Sequence, residues 1–172
     1  RNLIDLLVRC RNHKLKVNLS LRPGTPMGFP WDIVREMIEK GRLAENDDIF
    51  VYDLAWEPMW RGQGHRRPYD PEWQAWGVQA YGSIAKAEKA WGVAIPRWDD
   101  GTVTNPSDDQ MKAEGEWSGM VRDYHRFLNE LLHKRYGKAR DLVRSIDPNH
   151  GVSFRMNSAG NPTQGTTWPC YD

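Results

Sequence analysis

An α/β fold, with parallel strands joined by crossover helices, is predicted for this chain by three observations. Short apolar runs with strand chemistry, near residues 15–21, 49–57 and 152–156, alternate with longer stretches of helical periodicity. Strands separated by helices pair in parallel through right-handed crossovers. The run Ile49-Phe50-Val51-Tyr52-Asp53-Leu54-Ala55-Trp56-Glu57-Pro58 also ends abruptly in a carboxylate and a proline. Pro58 has no N–H to give to a ladder, so the strand stops there. Glu57 is thereby placed at the C-terminal lip of a strand, where open α/β sheets and α/β barrels gather their chemistry. The plainer alternative is a solvated glutamate at a strand end.

The chain opens in a helix whose apolar stripe is Leu3, Ile4, Leu6, Leu7 and Cys10, which predicts a buried thiol at Cys10. Residues 15–21 alternate as a strand does. A Pro/Gly loop over 22–28 leads to a helix with Pro30 as its first residue and Ile33, Val34, Met37 and Ile38 on one side, fading near Gly41. Glu45-Asn46-Asp47-Asp48 is the loop into the central strand. A polar loop after Glu57 holds His65 and a small basic cluster of Arg61, Arg66 and Arg67, which suits a solvated loop or, alternatively, contacts to acidic sugars. Asp70 is predicted to cap a helix with Pro71 at its first position, running to about Trp91. Residues 92–112 are irregular and, at about twenty residues, longer than ordinary connections, which marks a functional excursion. A helical region over 115–146 carries Val121, Tyr124, Phe127, Leu128, Leu131 and Leu132 on one stripe, with Gly137 a point of interruption. The turn Asp147-Pro148-Asn149-His150-Gly151 precedes the third strand, and the last fifteen residues suggest no definite element.

Composition narrows the function. With 172 residues, a net charge of +1 and 27% charged residues, the chain has room for one core and no global field calling for nucleic acid or an anionic membrane. No apolar run approaches a membrane span. Cys10 and Cys170 lie far apart, without disulfide or metal spacing, and the compartment is left open. His125 and His133 on the long helix likewise lack metal spacing, and no cofactor is called for. Of nine tryptophans, Trp31, Trp73, Trp76 and Trp91 suit a helical core, whereas Trp56, Trp60, Trp98 and Trp168 fall in or near loops. Trp56 and Trp60, beside Glu57, have the character of a platform for the C–H faces of sugar rings.

Asp53 shares the strand with Glu57 but lies four residues earlier, roughly 13 Å away at strand rise. A retaining carboxylate pair needs about 5 Å. Asp53 is therefore expected to be a buried hydrogen-bond anchor, and any second carboxylate to come from another strand. A complete eight-stranded α/β barrel takes about 250 residues. This chain has three strands and begins mid-pattern, so residues 1–172 are expected to be one partial domain, an internal slice of a (β/α)8 TIM barrel.

Three segments resemble a known group. The Glu-Pro strand end is followed by Trp73-Gln74-Ala75-Trp76 and by Tyr81-Gly82-Ser83-Ile84-Ala85-Lys86-Ala87-Glu88-Lys89-Ala90-Trp91-Gly92. This helix is similar to the one after the acid/base strand in β-galactosidases of glycoside hydrolase family 42. Arg144-Ser145-Ile146-Asp147-Pro148-Asn149-His150 resembles the segment entering the fifth barrel strand across the same clan of retaining (β/α)8 glycoside hydrolases, cellulase-like families included. The resemblance implies that 15–21, 49–57 and 152–157 correspond to the third, fourth and fifth barrel strands. It further implies that Glu57 is the general acid/base and that the nucleophile lies on a seventh strand outside this chain. A poly- or oligosaccharide substrate and the rest of a barrel are the implied partners.

Arg22, Arg155 and Asn157 stand at strand ends from which they reach substrate or, alternatively, pair with the barrel's own acids. The chain departs from the clan at one position: where most members have asparagine before the acid/base, Trp56 stands here. Either substrate is bound differently, or this is a divergent barrel that binds carbohydrate without hydrolysing it. An unrelated α/β domain with an incidental Glu57 is the third reading. The segment alone, lacking closure and a nucleophile, is expected to be inactive.

Overall fold

The computed structural model describes residues 2–21, 26–28, 31–56, 60 and 62–155. Glu57, Arg22 and Asn157 lie outside these, as do Arg61, Cys170, Trp168 and the polar C-terminal segment. The elements are, in order, α1 (Leu3–Asn12), β1 (Val17–Ser20), α2 (Trp31–Lys40), β2 (Ile49–Trp56), α3 (Gln63–Arg66), α4 (Asp70–Tyr81), α5 (Ile84–Trp91), α6 (Asp108–Lys112), α7 (Ser118–Ile146) and β3 (Gly151–Arg155). The chain is a mixed α/β protein. Its described residues fall into two compact units, 2–56 with 132–155, and 60–131.

The first unit contains a three-stranded parallel sheet in the order β1-β2-β3. Consecutive strands are parallel neighbours, so the connection between each pair is a crossover. Leu19, Tyr52 and Val152 align in one row, and Ser20, Asp53 and Ser153 in the next. Successive residues on a strand face opposite sides, which gives the sheet an apolar face and a face carrying a polar row. Leu19, Leu21, Tyr52, Leu54 and Phe154 are buried, and Tyr136 of α7 packs on Phe154 with ring centroids 4.8 Å apart. Each such side chain contributes about 1.5–3 kcal/mol when fully buried, so this apolar face contributes substantially to the unit's cohesion.

Two expectations for the helices need correction. On α1, Leu7 is buried while Ile4, Leu6 and Val8 are exposed, and Cys10 is only half-buried. Only Leu7 is fully buried, with Leu3 and Cys10 half-buried on the same helical face, rather than the whole stripe. On α2, Val34 and Ile38 are buried and Ile33 and Met37 exposed, by the same geometry. Exposed pairs Arg35–Glu39 and Glu36–Lys40 lie along α2.

The second unit is built on aromatic rings. Trp73, buried, stacks on Trp76 and on Trp91, each at 5.5 Å, and meets Tyr124 edge-on at 5.2 Å. Much of the tryptophan content is thus core. The helix expected to run from Asp70 to Trp91 is broken at Gly82, whose φ of 83° ends α4 with its N–H on the Val78 carbonyl. Ser83 then starts α5 by accepting the Lys86 N–H at 3.2 Å. Glycine supplies the left-handed turn and serine the new cap. Gly137, by contrast, does not interrupt α7, an unbroken helix of 29 residues.

The stretch 61–67 is also not a simple loop, since Gln63–Arg66 is helical and a 3₁₀ turn follows over Arg67–Tyr69. That turn runs directly into α4, so Asp70 is the helix's first residue and not its cap. Within 92–112, Arg97 and Val103 form an antiparallel bridge around a tight turn. Ser107 and Gln110 form a reciprocal capping box at the start of α6.

Candidate functional site

The C-terminal lip of the sheet carries the most unusual chemistry of the first unit. β2 is buried on both faces from Val51 to Ala55, yet its centre holds a carboxylate, Asp53, only 1% exposed. An unpaired buried charge is costly, so such a group must find partners. Asp53 finds them across the sheet. Its Oδ1 accepts the Arg155 backbone N–H at 3.1 Å and, more weakly, that of Ala55 at 3.5 Å. Its Oδ2 lies 3.3 Å from Arg155 Nη2, an ion pair by distance without hydrogen-bond alignment.

This carboxylate sits where the ladder is irregular. Between the pairs Asp53/Ser153 and Trp56/Arg155, β2 advances three residues and β3 two. A bulge leaves main-chain groups without ladder partners. Here the Asp53 carboxylate supplies the missing acceptor. The expectation of a buried anchor at Asp53 is met. Bulges often lie beside functional sites, where they redirect the residues that follow.

Of the residues singled out from sequence, Arg155 is thus brought against Asp53, with its guanidinium still 41% exposed, and is paired in register with Trp56 at the end of β2. Trp60 is half-buried in the second unit, where its ring meets Tyr69 edge-on at 6.0 Å. Glu57, Arg22 and Asn157 lie outside the described residues. The link between Asp53 and Arg155 was not specified by sequence, since 102 positions separate them. The available signal was a lone carboxylate in an apolar strand.

At the opposite end of β3 is a second polar group. Asp147, fully buried, accepts from the Tyr52 hydroxyl at 2.7 Å and from the Asn149 and His150 backbone N–H groups at 2.9 and 3.2 Å. His150 Nδ1 lies 2.6 Å from the same carboxylate. Burial works to raise the Asp147 pKa, but these hydrogen bonds outweigh it and hold the carboxyl below its usual range. Burial and the adjacent carboxylate push the Tyr52 phenol far above its own. The arrangement fixes the turn entering β3, and it lies at the end of the sheet away from the lip.

The second unit holds a third cluster, one that corrects the reading of Arg66 as part of a solvated loop. Arg66 is 0% exposed. Its Nε donates to Asn105 Oδ1 at 3.1 Å, its Nη2 to the Pro106 carbonyl at 2.8 Å, and Nη2 pairs with Asp108 at 2.7 Å. Asp70 is buried beside it and accepts from Trp98 Nε1 at 2.7 Å and Asn105 Nδ2 at 2.8 Å. Burial raises the Asp70 pKa despite these donors and the nearby Arg66. His125 is half-buried, and burial followed by the Arg66 charge lowers its pKa. His65 and His133 are exposed. Among the described residues no three His, Cys, Asp or Glu side chains are grouped to hold a metal ion, and no helix is long and apolar enough to cross a membrane.

Fold and site together define a mixed α/β protein whose parallel sheet carries, at its C-terminal lip, a buried carboxylate paired with a partly exposed arginine. No protein-family model, curated protein or solved structure matches the chain.

Proposed function

We propose that the chain is part of a retaining glycoside hydrolase of (β/α)8 architecture acting on a poly- or oligosaccharide, with Glu57 as general acid/base. The observation that carries this reading is the position of β2. It is the central strand of a sequentially ordered parallel sheet, it ends at Trp56, and Glu57 is the next residue. Chemistry on such sheets gathers at the C-terminal strand ends. The bulge and the Asp53–Arg155 pair at that lip favour a functional end over a plain strand terminus.

In the proposed reaction Glu57 protonates the glycosidic oxygen as the bond to the leaving group breaks, then takes a proton from water as the glycosyl–enzyme is hydrolysed. An acid in this role needs a raised pKa, which apolar neighbours such as Trp56 favour by disfavouring the charged form. The nucleophile is a carboxylate supplied by a strand outside this sequence. Arg155, held by Asp53 and partly exposed, is suited to donate to sugar hydroxyls, and Trp56, Arg22 and Asn157 complete the proposed substrate contacts on this unit.

Glu57→Gln in the intact protein tests the assignment. Hydrolysis of unactivated oligosaccharides is expected to fall by about 10²–10⁴-fold, the range of general acid–base catalysis. Activated aryl glycosides, whose leaving groups need no proton, are expected to lose less in the glycosylation step. Unchanged turnover of the unactivated substrates would exclude Glu57 from the role. Trp56, standing where the clan has asparagine, favours a second reading: a barrel that binds saccharide without cleaving it. Saccharide binding by the wild type with no turnover of either substrate class would select that reading.

A further inference from the structure

The second unit holds an open cleft of about 310 Å³ lined by Arg67, Pro68, Pro71, Trp98, Asp100 and Thr102, with the buried Asp70 at its base. It is formed where the 97–103 turn meets the start of α4. The turn is stiff: Trp98 N–H donates to the Thr102 carbonyl, Gly101 N–H to the Trp98 carbonyl, and Thr102 N–H to Asp100 Oδ1, all at 2.9 Å. Gly101 provides the positive φ of 83° that closes it. The Trp98 ring is held as firmly. Its indole N–H is anchored on Asp70, and the Arg67 guanidinium lies 4.3 Å from the ring centroid. Burying a carboxylate is costly even when it is well bonded, and this one fixes the orientation of a half-exposed indole.

The lining narrows the ligand. The Arg67 charge is offset by Asp100 and that of Arg66 by Asp70, so the cleft has no excess positive charge to attract an anion. Two prolines and an indole offer apolar surface, while Arg67, Asp100 and Thr102 offer donors and acceptors around it. A neutral molecule with many hydroxyls and apolar C–H faces matches both halves. We propose that the Trp98 cleft is a saccharide subsite that binds a neutral sugar unit, with Trp98 as the apolar wall and Arg67 and Asp100 as hydroxyl partners. The choice of a saccharide rests on the carbohydrate reading above; the preorganised cleft itself is independent of Glu57.

The test is calorimetric titration of the intact protein with cellotetraose, xylotetraose, mannotetraose and galactotetraose, alongside saturation-transfer NMR. At least one tetrasaccharide is expected to bind, with affinity falling tenfold or more in Trp98→Ala and several-fold in Asp100→Ala. Asp100 is exposed, so the second variant keeps the test decisive if Trp98→Ala fails to fold. Binding that is unchanged in Asp100→Ala and in folded Trp98→Ala would overturn the proposal, as would absence of binding by all four sugars. Hydrolysis by the wild type is scored separately. Trp98-dependent binding without any turnover removes the hydrolase reading and keeps the subsite, whereas turnover with binding indifferent to both substitutions does the reverse.

Discussion

The Tyr52 hydroxyl donates a 2.7 Å hydrogen bond to Asp147, joining the central strand to the turn that starts β3 across 95 positions of sequence. Both groups are fully buried. Tyr52→Phe removes one donor from a buried carboxylate and is expected to cost about 1.5–3 kcal/mol, as hydrogen bonds to charged groups do. Urea unfolding measures it, and a loss below about 0.5 kcal/mol would mean that the bond contributes little beyond what water replaces. The same pair predicts an acid response. Because the folded pKa of Asp147 is depressed, its contribution is fully present above the ordinary carboxylate pKa of about 3.9 and is lost as pH falls through the lower folded value. Asp147→Asn, less stable at neutral pH, is therefore expected to show a shallower fall in stability below about pH 4. Parallel acid profiles for the two proteins would contradict this.

Asp53→Ala removes the acceptor of the Arg155 backbone N–H and the carboxylate beside its guanidinium. With Arg155 partly exposed, the cost is expected at about 1–3 kcal/mol, the desolvation penalty of a buried group left unsatisfied. Amide hydrogen exchange at Arg155 is expected to accelerate more than at Val152. Equal protection at both positions after the substitution would mean that the carboxylate does not hold the end of β3.

Arg66→Met strips Asp108 and Asn105 of a buried cation and is expected to destabilise the second unit by about 3–5 kcal/mol. Arg66→Lys retains charge but cannot span Asn105, Pro106 and Asp108 at once, so less than half of the loss should return. Thermal unfolding of both variants makes the comparison. Full recovery by lysine would show that charge alone, without the guanidinium fork, is what the site requires.

How much could be read from the chain depended on the separation of cause and effect. The strands at 17–20, 49–56 and 151–155 were legible because β-branched and aromatic runs carry their own signal. The Gly82-Ser83 break was present as a stop-and-cap pair, and it was outweighed by the apolar pattern that continues to Trp91. Arg66 was not legible as buried: it sits among polar neighbours in sequence, and the groups that bury and satisfy it lie 39 and 40 positions away. Asp53 could be recognised as a carboxylate needing partners, but Arg155 could not be identified as that partner, because register is a property of the assembled sheet.

The carboxylate at the bulge also changes how this sheet can vary. A main-chain ladder is almost indifferent to point substitution, because every residue except proline carries the same N–H and C=O groups. Where Asp53 stands in for a carbonyl, one codon decides whether the end of β3 stays fastened to β2. The lip of this sheet is therefore open to inherited adjustment in a way that the rows beneath it are not.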